Sequence, residues 1–261
     1  MNGIQLFGRF MAVHLKGVMG YKTSFFLTMI GQFLASFNLL VGIYFMFQRF
    51  HRVEGFSYSE VLLCFGIVLM QFSIAECFVR GFDSFSSMVR EGKFDRLLVR
   101  PRGLVLQVLG SNFEFTRIGR MLQAVVMFCY GVSHSSITWN IAKVLTVFFM
   151  LIGGVALFSG LFLLSAALCF FTLDALEVMN IFTDGGREFG RYPVSIYGKR
   201  VLQFCTFVIP YALVQYYPLL YLLDRRKEAG FVVLPLLALL FLLPCYGCWQ
   251  IGLKKYQSAG S

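Results

Sequence analysis

Hydrophobic residues gather into long runs along this chain, and polar residues collect in the short stretches between them. A helix needs about 20 apolar residues to cross the hydrocarbon layer of a bilayer. By that measure six spans are predicted, near residues 24–47, 58–79, 115–133, 143–171, 201–223 and 231–251. The third also reads as starting earlier, at Leu104, and the fourth is long enough to tilt. The fifth contains Pro210 and Pro218 and reads as a broken or re-entrant segment. Non-helical backbone at membrane depth persists only against protein or a wet cavity.

Residues 2–20 follow a different pattern. Ile4, Phe7, Met11, Leu15 and Val18 recur at steps of three and four, with Asn2, Gln5, Arg9 and Lys16 mostly opposite. This predicts an amphipathic helix lying in the interface plane, cations near the lipid headgroups. The alternative is that it simply begins the first span. No compact apolar core followed by a small-residue cleavage site occurs in the first twenty residues, so no cleavable signal is expected.

Composition turns these runs into a class. The chain is 58% hydrophobic and 14% charged, with mean hydropathy +0.73, whereas soluble domains carry about 25% charged residues. The expectation is an all-α polytopic membrane protein of six transmembrane helices, too short to add a large soluble domain. Its parts are an N-terminal interfacial helix over 1–22, the six-span domain over 23–255 and a tail over 256–261.

The formal net charge of +10 would point to nucleic acid in a soluble protein. Here the cations lie between apolar runs, where they report orientation and contact with anionic membrane lipid, so no nucleic-acid partner is expected. Seventeen Lys and Arg fall on the N-terminal segment, the second-to-third and fourth-to-fifth connections and the tail; six fall on the other side. That bias predicts both termini in the cytoplasm. Arg225, Arg226 and Lys227 are discordant, although Asp224 and Glu228 flank them.

Candidate chemistry is sparse. Cys245 and Cys248 form C-x-x-C within an apolar run, without a second pair or a nearby histidine, and read as small buried hydrophobes. His14, His51 and His134 are isolated, and neither a phosphate-binding glycine loop nor G-x-S-x-G occurs. No enzyme, metal or cofactor is expected in this chain. Glu76 has Arg80 four residues on, and Glu114 has Arg117 three residues on; both read as structural helix pairs near span ends.

The densest charge lies in "VREGKFDRLLVRPRG", residues 89–103. Phe82, Phe85 and Val89 keep helical spacing, Gly92 interrupts, and Phe94, Leu97 and Leu98 resume it. Arg90, Glu91, Lys93, Asp95, Arg96 and Arg100 project between them until Pro101 stops the helix. A purely lipid-binding helix would be more uniformly basic. The mixed signs fit a protein partner, with Phe94 and the leucines as anchors; a solvated loop that only enforces topology is the alternative.

The run "REGKFDRLLVRPRGLVLQVLGSNFEFTRIGR" at 90–120 resembles the cytoplasmic connection of ABC-2-type permeases of the small six-span branch. The resemblance continues over 174–223, in G-R-E-F-x-R-Y-P and I-P-x-A-x-x-x-Y-Y-P. It implies a non-catalytic permease subunit of an ATP-driven exporter in the bacterial cytoplasmic membrane, its cargo a drug, antibiotic or peptide. It further implies a second permease subunit, identical or related, and two copies of a separate ATPase carrying ATP and magnesium. A coupling helix within 80–102 would meet that ATPase. Asp184, Arg187, Glu188 and Arg191 are candidates for a second contact or a gate, or for a loop capped by its own ion pairs. Pro210, Tyr211, Gln215 and Tyr216 are candidates for lining the path, or for an interfacial belt. Alternatives are an ABC permease for a lipid or polysaccharide, or a non-ABC carrier.

Overall fold

The computed structural model describes residues 3–50, 52–172 and 175–256. Helix α1 (Gly3–Met19) leads into α2 (Lys22–Phe50) and α3 (Tyr58–Asp83). Three six-residue helices follow: α4 (Phe85–Arg90), α5 (Lys93–Leu98) and α6 (Leu104–Leu109). Then come α7 (Ile118–His134), α8 (Ile141–Leu168), α9 (Ala175–Phe189) and α10 (Lys199–Phe207). The chain ends in α11 (Tyr211–Val214), α12 (Tyr216–Leu222), α13 (Gly230–Val233), a 3-10 stretch over Leu234–Phe241, and α14 (Leu242–Lys255). Among the described residues, pairing of the β type is confined to one bridge between Val53 and Phe56. The turn between them places Glu54 and Gly55 at φ 50° and 80°, the positive values a tight two-residue hairpin requires.

The centre of the bundle is α3, buried along most of its length and packed chiefly against α7 and α8. Its start is fixed by a capping box: Glu60 N–H donates to the Ser57 hydroxyl, and Ser57 N–H donates to the Glu60 carboxylate at 2.8 Å. Helix α8 approaches the last segment closely, since a Cβ on Gly153 would lie 2.2 Å from the Pro235 carbonyl oxygen. Small residues allow such crossings in a membrane, where van der Waals packing drives association. After the one turn of α13 the last segment runs as 3-10 helix over Leu234–Phe241, where Pro235 near its start and Pro244 just beyond it carry no N–H to continue an α ladder.

Four helical segments are long and apolar enough to cross a bilayer: Lys22–Phe50, Tyr58–Arg90, Ile141–Leu168 and Gly230–Lys255. The fifth segment is broken, as its prolines predict: α10 and α11–α12 are bent by 86° at the break before Tyr211. Helix α7 occupies the place of the expected third span with 17 residues, the lower end of the spanning range. Helix α2 presents Phe26, Leu27, Ile30, Leu34 and Phe45 to its surroundings.

The amphipathic α1 forms as expected, but its inward face is shifted. Phe7, Phe10, Met11 and Val18 pack against Phe25, Cys77, Phe113 and Phe115. Ile4 is 88% exposed and Leu15 is also exposed. The Phe10 ring sets the register by lying on Gly110, where a Cβ would meet it at 2.3 Å. His14 bridges the Phe10 carbonyl at 2.9 Å and the Ser111 carbonyl at 3.1 Å.

These contacts place α1 at the end of the bundle that carries the α3–α7 connection. Tyr256 lies there too, its hydroxyl donating to Asp95 Oδ1 at 2.8 Å, so both ends of the described chain share one end of the bundle. At the other end, Arg225 Nη2 donates to the Gly55 carbonyl and to Glu60 Oε2, each at 2.8 Å, with its guanidinium over the Phe56 ring. Lys143 Nζ reaches Asp224 Oδ2 at 2.6 Å. The cluster that was discordant in the charge count is thus partly neutralised by ion pairs joining three connections.

Candidate functional site

The segment expected to be one coupling helix is two short ones. Gly92 takes a left-handed conformation at φ 64° between α4 and α5, and turns the second back against the first. Phe82, Phe85 and Phe94 are buried, and Val89 and Leu97 are half-buried against the same core. Phe85 and Phe94 meet edge-to-face with centroids 4.9 Å apart. Trp249 joins Phe85 at 5.0 Å and Phe82 at 5.6 Å, Phe170 joins Phe85 at 5.2 Å, and Tyr256 joins Phe94 at 5.0 Å. The expectation that Phe94 anchors a partner is therefore corrected: its burial is complete within this chain. Asp95 is likewise engaged by Tyr256.

What faces outward is Arg90, Glu91, Lys93, Arg96, Leu98, Val99, Arg100, Pro101 and Arg102. Glu91 and Lys93 pair with each other. Val99 is 83% exposed and Leu98 41%, an apolar tip set among guanidinium groups. Beside it lies a groove of about 370 Å³ whose walls include Ser87, Met88, Glu91, Lys93, Leu97 and Asn112.

Just inside this surface sits a buried ion cluster. Glu76, 2% exposed on α3, meets Arg80 at 3.1 Å, Arg117 at 3.4 Å and Arg120 at 2.5 Å. Arg120 also donates to Gln32 on α2 at 3.0 Å. Asp83 takes Arg80 at 2.9 Å, and Glu114 takes Arg117 at 3.1 Å, so three carboxylates balance three guanidiniums. Both expected helix pairs are present, inside a larger network that ties α2, α3 and α7 together.

The stretch 182–193, read as a second contact or gate or else as a loop capped by its own ion pairs, is helical through Phe189 as the second half of α9. Arg187 pairs with Asp184 at 3.3 Å and Glu188 at 2.8 Å, and Arg191 pairs with Glu188. The Arg187 guanidinium also lies 5.0 Å over the Phe72 ring of α3. Burial, and then the charge of Arg187, lower the Arg191 pKa from its ordinary value.

The broken segment is fastened to α9. Gln215 Nε2 donates to the Gly190 carbonyl at 2.7 Å and the Tyr192 carbonyl at 2.9 Å. The Tyr211 hydroxyl donates to the Phe182 carbonyl. Gly186 makes room for that hydroxyl, since a Cβ there would stand 1.9 Å from it. Pro210, Tyr211 and Gln215 are therefore buried within this chain, while Tyr216 is half-buried. The G-R-E-F-x-R-Y-P and I-P-x-A-x-x-x-Y-Y-P runs are thus the two halves of one packed junction.

A family model described as ABC-2 family transporter protein matches residues 18–260. The chain belongs to the ABC-2 transporter family. No curated protein and no solved structure matches it. The match covers all the apolar segments and both motif runs, so this is a membrane protein and an ABC permease component, of a family that associates with ABC ATPases. In the ABC-2 permease, sequence reasoning missed Phe170, Trp249 and Tyr256 as the socket of the charged segment. It also counted Arg120 only as a topological charge. The signal for the socket was slight: Trp249 in the middle of α14 and Tyr256 just after its end, seven residues apart.

Proposed function

We propose that this ABC-2 permease is the transmembrane subunit of an ATP-driven exporter in the bacterial cytoplasmic membrane, with six spans and both termini cytoplasmic. The reading takes α7 and the bent α10–α12 segment as the third and fifth spans. A second permease subunit, identical or related, completes the path, and two copies of a separate ATPase bind ATP and magnesium. The resemblance to exporter subunits supports outward transport of a drug, antibiotic or peptide.

The observation that carries the proposal is the two-sided build of α4 and α5. Their exposed side offers Leu98 and Val99 among Arg90, Arg96 and Arg100, near a groove; an exposed apolar patch rimmed by polar residues marks an interaction site, and arginine is enriched where binding energy concentrates. Their buried side, Phe85 and Phe94, packs with Phe82 of α3 against Trp249 and Phe170. A push from the ATPase is thereby delivered to α3, α8 and α14 through packed rings. The ion cluster around Glu76 passes it on to α2 and α7, and Arg187 over Phe72 couples it to α9.

The test is copurification of the ATP-hydrolysing subunit with the tagged chain. L98E/V99E should abolish it while membrane insertion and thermal midpoint stay at wild-type values. F94A, by contrast, should lower the midpoint, because truncating a buried Phe costs about 3–5 kcal/mol. Undiminished copurification and transport in L98E/V99E overturn the assignment.

A further inference from the structure

The bend between α10 and α11 leaves a crevice of about 320 Å³ walled by α9, α10 and α11. Its lining is almost wholly apolar, with Ile181, Phe182 and Phe189 on one side and Val201, Phe204 and Cys205 on the other. Water is held in a cavity only by two to four polar partners, and this lining offers almost none. Val201, Phe204 and Cys205 recur at i, i+3 and i+4, so one face of α10 is turned to the crevice. The apolar surface then continues outward over Phe204, Phe207 and Val208, which are 41%, 84% and 55% exposed. At the start of the same helix, Lys199 and Arg200 are exposed, and among the described residues neither makes an ion pair.

We propose that this crevice binds an acyl chain of an anionic phospholipid, whose phosphate group meets Lys199 and Arg200. The geometry matches that of an amphiphile: an apolar slot open toward exposed aromatic side chains, with two cations at one end of its wall. Cations beside an interfacial helix attract anionic lipid, and the slot adds a place for its tail. The bound chain fills the elbow of the broken segment and props α10 against α9, next to the Tyr211 contact with Phe182.

Photocrosslinking tests this. The purified chain is placed in phosphatidylcholine vesicles containing a trace of phosphatidylglycerol with a diazirine near the end of one tail. After irradiation the modified residues are mapped by mass spectrometry. Crosslinks are expected within 181–189 and 201–205, with loss of these in G185L. Gly185 lines the slot, and a Cβ there meets its nearest neighbours at 3.8 and 3.9 Å, ordinary contact distances, so the position has room for a side chain to begin. If G185L fails to insert, V201F serves as the second filling variant. K199Q/R200Q should abolish the preference for the phosphatidylglycerol probe over a matched phosphatidylcholine probe. Crosslinks confined to Phe207 and Val208, or unchanged in the filled variant, overturn the site. Equal labelling of the wild-type chain by both probes overturns the anionic specificity.

Discussion

The side-chain amide of Gln215 donates to the Gly190 carbonyl at 2.7 Å, and so holds the broken fifth segment to the loop that leaves α9. Both groups are buried, so neither has water as a substitute. Removing this donor leaves the Gly190 carbonyl with only the weak Cys64 thiol at 3.9 Å and takes the Gln215 bond from the Tyr192 carbonyl, and an under-satisfied buried group costs about 1–3 kcal/mol. Q215L should therefore lower the thermal midpoint of the detergent-solubilised protein. A double-mutant cycle sharpens the point. G186A should be strongly destabilising beside Tyr211, whose hydroxyl would lie 1.9 Å from the new Cβ, and much less so in a Y211A background. Additive effects in that cycle would contradict the contact, since residues that touch show coupling energies.

The Glu76 cluster leads to a second expectation. Breaking a buried ion pair by removing one partner costs about 3–5 kcal/mol, because the remaining charge is stranded. E76Q removes the carboxylate that Arg120 pairs with and takes one partner each from Arg80 and Arg117, in a region where that carboxylate is 3% exposed; E114Q alters a carboxylate that is 30% exposed. E76Q should thus lower the unfolding midpoint far more than E114Q. R120M should behave like E76Q, because Arg120 also holds Gln32. Equal shifts for E76Q and E114Q would show that burial does not set the strength of the network.

Much of the fold was legible in the chain. The runs around α2, α3 and α8 are long enough that length and hydropathy alone locate them. The helix pairs Glu76 with Arg80 and Glu114 with Arg117 follow from spacing. The site was legible only in outline. Spacing showed that Phe94 belongs to an apolar face, but not whether that face meets a partner or this chain. The answer lies with Phe170 and Trp249, 76 and 155 residues further on. Arg120 reaches Glu76 across 44 positions, and Gln215 reaches Gly190 across 25. Such contacts are fixed by how helices cross, and no local periodicity records them. For the 182–193 stretch a loop stayed open as one alternative, because Gly185 and Gly186 lower helix propensity; packing of Gly186 against Tyr211 accompanies the helix that forms there.

At the opposite end of the bundle, Lys143 and Asp224 differ in a way that makes their pairing testable. The Lys143 side chain is 3% exposed, whereas Asp224 is 50% exposed, and their charged atoms lie 2.6 Å apart. Losing the carboxylate leaves a buried lysine without the partner at its ammonium; losing the ammonium leaves a carboxylate that water can reach. D224A should therefore destabilise the protein more than K143M does. K143M/D224A should recover most of the loss, since an unbranched apolar side chain fills the space of the lysine stem without a charge to solvate. The unfolding midpoint of the three variants measures this directly. The reverse order, with K143M the more damaging, would mean that the lysine stem acts by packing and that the ion pair contributes little. The same contact joins the connection after α12 to the start of α8, so D224A should also open that connection to protease, at Arg225, Arg226 or Lys227. Protection of these bonds in D224A would place the anchoring elsewhere, on the Arg225 bonds to Gly55 and Glu60.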